Sequence, residues 1–448
     1  LISFQNLSAK EDTSCRYRNL MEDNWNKLRN MVRTTARWID MPAYSQGRTG
    51  TCYAFAATQL VDYWRQTRGT RIDEEIMLAS PIHMAMAYKT AVGERSEVDA
   101  GLIYDNIKAL KRYGVCPQEV ANKDIRAFLK EKVGVLELDF RRRGGKVEDD
   151  TVFAELTQGF IVQQTGAHGG DGNFNVLDPK TVTFGDYYKW ARSRRRRQSI
   201  RDLPKRTLKK VYDAFMVYMR RGDYIGFLEK VLKNCEKRKH HIKFLDTMPA
   251  VKRFDMGTYK RARRVHGIRN NKQYWRWRTN GYKDMIRTLL NRKNAPAVGI
   301  AYCSAMLDNP RERRVMTRNG TGGQGCGGHA SIIVGKKEKN GKCMYLLKNT
   351  WNSDDICRKQ DEGCLYRKVK DPKTGTEYTE EVGTWVYEDD LVHNLWFISY
   401  IYPNKRSEKK IEAYWKRVEE KYIQAGEVFQ DLLDDVRDKK KRNRWRRR

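Results

Sequence analysis

The sequence has no run of eighteen apolar residues, so no helix able to cross a membrane is expected anywhere in it. It also has no internal repeat, which removes solenoid and propeller architectures from consideration. Acid is scarce beside base: 56 Asp and Glu stand against 89 Lys and Arg, a formal charge of +33. Histidine is scarcer still, at seven, so an imidazole that does chemistry has few places to be. No compact metal-ligand set stands out. Cys326 lies three residues before His329 but has no second close ligand pair, and reads as a bridge or core cysteine. No metal or other cofactor is expected. The chain opens on Leu1 without a positively charged region and apolar stretch, so it reads as processed or trimmed, with any signal peptide already gone.

What is present fits two or three folded units in 448 residues. The positive field favours anionic partners: nucleic acid, an anionic membrane or envelope surface, or acidic protein. Nine cysteines, an odd count, fit one free reactive thiol and up to four bridges. That points to an oxidising compartment, secreted or periplasmic, with Cys357 and Cys364 the first pair expected.

Along the chain, Leu20, Met21, Trp25 and Leu28 predict a helix over about 17–32. A turn-rich loop follows through Gln46, Gly47 and Gly50, then a helix from Cys52 to Trp64 with one buried face and Thr51 as its cap. Further helices are expected near 81–88 and 103–113. Residues 189–278 hold 29 Lys and Arg against 7 Asp and Glu, including Arg194 to Arg197. Helical spacing of Leu208, Val211, Tyr212, Phe215 and Tyr218 inside this stretch says that it folds, alone or on a partner. From Pro296 the pattern turns to strands, at about 297–302, 330–334, 344–348, 383–387 and 395–402. A long amphipathic helix and a basic tail close the chain, over 404–448.

A catalytic thiol must become a thiolate, and a helix N-terminus or a protonated imidazole lowers its pKa. Cys52 begins a predicted helix directly after a glycine-bearing loop. Gln46, six residues earlier, can offer an amide N–H to the oxyanion of a tetrahedral intermediate. Of the histidines, His240 and His241 lie among lysines and read as solvated, and His393 reads as structural. His329 differs: it sits between Gly328 and Ala330 at the head of an apolar strand, where small neighbours let a ring face a cleft. The following strand ends in Asn349, whose amide can hold the second ring nitrogen, and Trp351 can shield that bond from water.

Three motifs in this order, Gln46 to Phe55, Gly328 to Ala330 and Lys348 to Trp351, resemble the papain-like cysteine peptidase family, as a bacterial-type member with a large basic insertion. The resemblance covers roughly 37–120 and 296–403. It implies an α+β, two-lobed papain-like fold: a helical lobe led by Cys52, and a β-rich lobe carrying His329 and Asn349. A C-terminal amphipathic helix would be added to it. It implies an endopeptidase in which Cys52 attacks, His329 serves as base and acid, Asn349 orients His329, and Gln46 completes the oxyanion hole. Substrate contacts would come from Ala100 and Gly101, which stand where the family pairs with substrate backbone. Ile300, Gly328, Ala330 and Trp351 would add to them. The domains expected are an extension at 1–36, the catalytic unit at 37–120 and 296–403, a basic insertion at 121–295, and the helix and tail at 404–448.

The sequence departs from the family at several points. Thr49 replaces a family cysteine, Ala100 replaces the first of two glycines, and Asn352 stands where glycine is usual. His329 follows Cys52 by 277 residues, against a usual spacing of about 130–150. Two other readings stay open: an inactive papain-like cleft that only binds peptides, and a polyanion- or nucleic-acid-binding protein whose peptidase domain is incidental.

Overall fold

The structure, a computed structural model, describes residues 14–20, 46, 50–65, 78–133, 141–142, 145–146, 153, 156–157, 181–193, 198–201, 203–237, 251–257, 259–292, 296–308, 327–351, 363–370 and 377–401. The architecture is α+β. Its longer helices are α1 (Cys52–Trp64), α2 (Pro81–Val92), α3 (Ile103–Tyr113), α4 (Gln118–Phe128), α5 (Phe184–Arg192), α6 (Lys205–Met219), α7 (Tyr224–Val231), α8 (Tyr259–His266), α9 (Asn271–Asn291) and α10 (Glu388–Asn394). The strands of its main sheet are β1 (Arg18–Asn19), β2 (Val251–Phe254), β3 (Val298–Cys303), β4 (Gly328–Lys339), β5 (Lys342–Lys348), β6 (Cys364–Lys370), β7 (Glu377–Tyr387) and β8 (Leu395–Ile401).

These strands form one antiparallel sheet in the order β2-β8-β3-β4-β5-β7-β6, with β1 paired to the far part of β4. Every residue of β3 is buried, as expected of a continuous apolar strand covered on both faces. One cover is α1, and it differs from the single buried face read from its sequence. All its residues from Tyr53 to Trp64 are buried, because α2 and α3 pack on one side and β3, β4 and β8 on the other. Close approach is built in at Gly299. A Cβ there would meet Leu60 Cδ1 at 2.7 Å, so the helix could not lie this near the sheet over a larger residue. Asp62, buried in the same helix, is satisfied by the Ala79 N–H, 3.2 Å from each carboxylate oxygen, and by Arg65.

The helix predicted from Tyr17 begins instead with a strand. Arg18 and Asn19 pair with Lys336 and Gly335, and Cys15 is disulfide-bonded to Cys343 at the neighbouring strand. Arg18 also donates to the carbonyls of Leu290 and Arg292. A sheet edge and a covalent tie outweigh the helical spacing at these two residues, and Leu20, directly after them, is helical. Most of that predicted helix, the Arg194 to Arg197 run, Cys357 and the predicted C-terminal helix and tail lie outside the described residues.

Helices α5, α6 and α7 bring Tyr187, Trp190, Tyr212, Phe215 and Phe227 into the same apolar core as α1 and the sheet. The basic stretch is therefore folded by its own aromatic residues. Two ties bind this part to α2–α4: the Cys116–Cys235 disulfide, and Arg95 with Asp223 and Glu229. At the other end, α9 is rooted in β8. Arg278 is 2 % exposed, and its guanidinium donates to the carbonyls of Leu395 and Gly257.

Candidate active site

Cys52 is the first residue of α1, is half-buried, and is the one free cysteine among the described residues. Cys303 and Cys364 are also disulfide-bonded, and their other halves lie outside the described residues. Thr51 precedes α1 but makes no side-chain cap, contrary to the sequence reading; its carbonyl takes the Ala54 N–H at 2.9 Å, and the N–H groups of Cys52 and Tyr53 are left to the thiol. The N–H groups of Ala330, Tyr53 and Cys52 each favour the thiolate. Burial opposes them and dominates, and with the Asp99 carboxylate it pushes the thiol up to about 12. An isolated thiolate is thus strongly disfavoured here. The position of the Ala330 N–H against the sulfur also fixes where β4 delivers the preceding residue, His329.

His329 is buried, and its Nε2 lies 2.7 Å from Asn349 Oδ1. The Asn349 amide is pinned the right way round, since Oδ1 also accepts the N–H of Thr350 at 2.9 Å and of Trp351 at 3.4 Å. An oxygen that accepts leaves Nε2 as the donor, so in the neutral ring Nδ1 is the basic nitrogen. Trp351 stacks on the imidazole with centroids 3.9 Å apart, and Tyr302 meets it edge-on at 5.4 Å. Gln46 is buried, donates its backbone N–H to Thr350 O at 2.9 Å, and accepts from the Thr350 hydroxyl through Oε1. That bond makes the amide nitrogen the end turned elsewhere. Thr350, which the sequence reading used only as part of a motif, thus holds both Gln46 and Asn349.

The other sequence candidates fall as follows. Ala100 has φ of +52°, left-handed backbone for a residue with a Cβ, and its N–H donates to Gly50 O at 3.3 Å. Gly101 lies against the Tyr53 ring, whose hydroxyl donates to Val98 O at 2.8 Å. Gly328 is exposed beneath the Trp396 ring, Ala330 is buried beside Cys52, and Ile300 is fully buried within β3 opposite Ser331. His393 accepts no role at this site: its Nδ1 is bonded to Asp389 O within α10.

Sequence reasoning missed Asp99. It is 2 % exposed, its carboxylate accepts the Gly50 N–H, and its Oδ1 is buried without a hydrogen-bond partner among the described residues. Burial first, then Glu97, push it up to about 7. The available signal is an acid directly before Ala100 and Gly101, the pair expected to contact substrate backbone.

No protein-family model and no curated protein matches this chain. Among solved structures it is similar to SERA5E from Plasmodium falciparum. That match has 12% identity and a TM-score of 0.35, covering 87% of this chain and 95% of that one. It is also similar to digestive procathepsin L 3 of the Tenebrio molitor larval midgut. Here identity is 10% and the TM-score 0.31, over 80% of this chain and 66% of that one. Likenesses this slight carry no fold or activity across, and the reading below stands on the residues.

Proposed function

We propose that this chain is a papain-like cysteine endopeptidase, two-lobed, with its cleft between α1 and the β4–β5 edge. The observation that carries the reading is the His329–Asn349 pair, fixed in tautomer by the pinned amide, on a strand whose next N–H meets the Cys52 thiol. Cys52 transfers its proton to His329 Nδ1, so that the buried charge forms as a pair and never alone. The thiolate adds to the scissile carbonyl. Gln46 and the Cys52 N–H receive the oxyanion, and the His329 imidazolium protonates the leaving amine. Water, with its proton taken by His329, then releases the acid from the thioester. Ala100 and Gly101 pair with substrate backbone, Gly328, Ala330 and Trp351 border it, and Ile300 supports that border from within β3.

The high pKa of Cys52 favours one rival, an inactive cleft that holds peptides without cutting them. Release of product from a fluorogenic peptide by wild type but not by Cys52→Ala supports the enzyme. Tight peptide binding with no turnover in either supports the rival. The reading also includes an anionic partner, polymer, nucleic acid or envelope surface, for the exposed cations Lys260, Arg263, Arg264, Lys272 and Arg276. A secreted or periplasmic location agrees with the disulfides.

A further inference from the structure

Behind the Cys52 loop lies a carboxyl group that the peptidase mechanism does not use. Asp99 fills the space a side chain at Gly50 would need: a Cβ there would sit 2.0 Å from Oδ1 and 2.5 Å from Cγ. The turn before Cys52 is therefore moulded on this group, and it is tied twice, by Gly50 N–H to the carboxylate and by Ala100 N–H to Gly50 O. A purely structural carboxylate in so dry a place would be expected to use both oxygens, yet Oδ1 has no partner.

Its electrostatic neighbours come from three helices and its own loop. Cys52 and Tyr53 on α1 and Tyr224 on α7 all feel its charge as repulsive to their own ionised forms. Glu97 on the same loop opposes its ionisation, and Lys89 from α2 favours it. Lys89 is itself held by Glu94 at 2.5 Å and by Glu97 at 3.9 Å, so this cation is already neutralised.

We propose that Asp99 is a positioning residue that holds Gly50 in front of Cys52, and that its charge state governs how readily Cys52 gives up a proton. Protonated, it supports the turn and leaves the thiolate unopposed. Ionised, it keeps the turn and sets a like charge against the thiolate. Raising the pH through the Asp99 ionisation therefore holds back the growth of the thiolate population without reversing it. The consequence for catalysis rests on the reading of Cys52 as nucleophile, but the effect on the thiol does not.

The test follows Cys52 alkylation by iodoacetamide, a neutral reagent, on the full chain by mass spectrometry from pH 4 to 10. In wild type the rise of rate with pH should pause just above the Asp99 ionisation, near pH 7. Asp99→Asn keeps an oxygen for the Gly50 N–H but no charge. It should lose the pause and react faster than wild type above pH 8, by about threefold to tenfold, while matching it at pH 5. A role in structure alone would move the rate equally at every pH. Glu97→Gln leaves Asp99 in place and should move the pause to lower pH, and it decides the matter if Asp99→Asn does not fold. Superimposed profiles for wild type and Asp99→Asn, or a pause unmoved in Glu97→Gln, overturn the proposal. Absence of peptide turnover with these shifts intact would instead defeat the peptidase reading and leave this one standing.

Discussion

Asn349 Oδ1 lies 2.7 Å from His329 Nε2, and the same oxygen takes the Thr350 N–H at 2.9 Å. One amide thus reads the orientation of its own backbone and transmits it to the ring. Replacing Asn349 by Ala should lower kcat/KM by about 10-fold to 100-fold. His329→Ala should lower it by 10³-fold or more, at the upper part of the range for general acid–base groups. Equal losses in steady-state assays of the two variants would mean that Asn349 does more than orient.

Stability should fall as pH rises through the acid range because of Asp99. Its carboxyl is at 3.8 when unfolded and about 7 when folded, so between these values the folded chain binds more protons than the unfolded one. The contribution is complete below the unfolded pKa and lost as pH passes the folded value. Urea unfolding at pH 4.5 and pH 8 should show a difference of up to a few kcal/mol that shrinks in Asp99→Asn. An equal difference in the variant would assign the slope to other groups.

Arg278 should be a keystone of the basic region. Its buried guanidinium meets Gly257 O at 2.9 Å and Leu395 O, joining α9 to β8. Arg278→Ala should cost about 3 kcal/mol, and Arg278→Lys should recover little, since one ammonium cannot replace the fork. Denaturant midpoints of both variants check this, and a fully restored Lys variant would deny the fork its role.

The same packing changes how the basic region has to be tested. Deleting 189–278 would remove Trp190, Tyr212, Phe215 and Phe227 from the common core and unfold the chain. Charge neutralisation at Lys260, Arg263, Arg264, Lys272 and Arg276, all exposed, is the safer probe. It should reduce the slope of log K against log salt for a nucleic-acid or heparin ligand by as much as about 4. It should leave cleavage of a short soluble peptide unchanged. An unaltered slope would place the attraction elsewhere in the chain.

Much of the candidate site was legible because its parts are local: a cysteine after a glycine loop, a histidine between small residues, an amide and a tryptophan closing a strand. Strands β3, β4, β5, β7 and β8 were legible for the same reason, since β-branched and aromatic runs bounded by turns report themselves, whereas the charged β6 was not. Two features could not be read that way. The pairing of Arg18 and Asn19 with β4 depends on partners more than 300 residues away, and a local helical spacing placed the helix start too early. Asp99 is functional in this account only through what surrounds it, a glycine, a thiol and a missing hydrogen-bond partner. None of these follows from an acid in a loop.

The central claim is that Cys52 is a nucleophile activated by His329. The most direct measurement is mass spectrometry of the chain after brief exposure to a peptidyl epoxide, comparing wild type, Cys52→Ala and His329→Ala. The account predicts one equivalent of label on Cys52 in wild type, none in Cys52→Ala, and labelling at least 100-fold slower in His329→Ala. Labelling of Cys52 at the same rate without His329, or no labelling of Cys52 in folded wild-type protein, would contradict it.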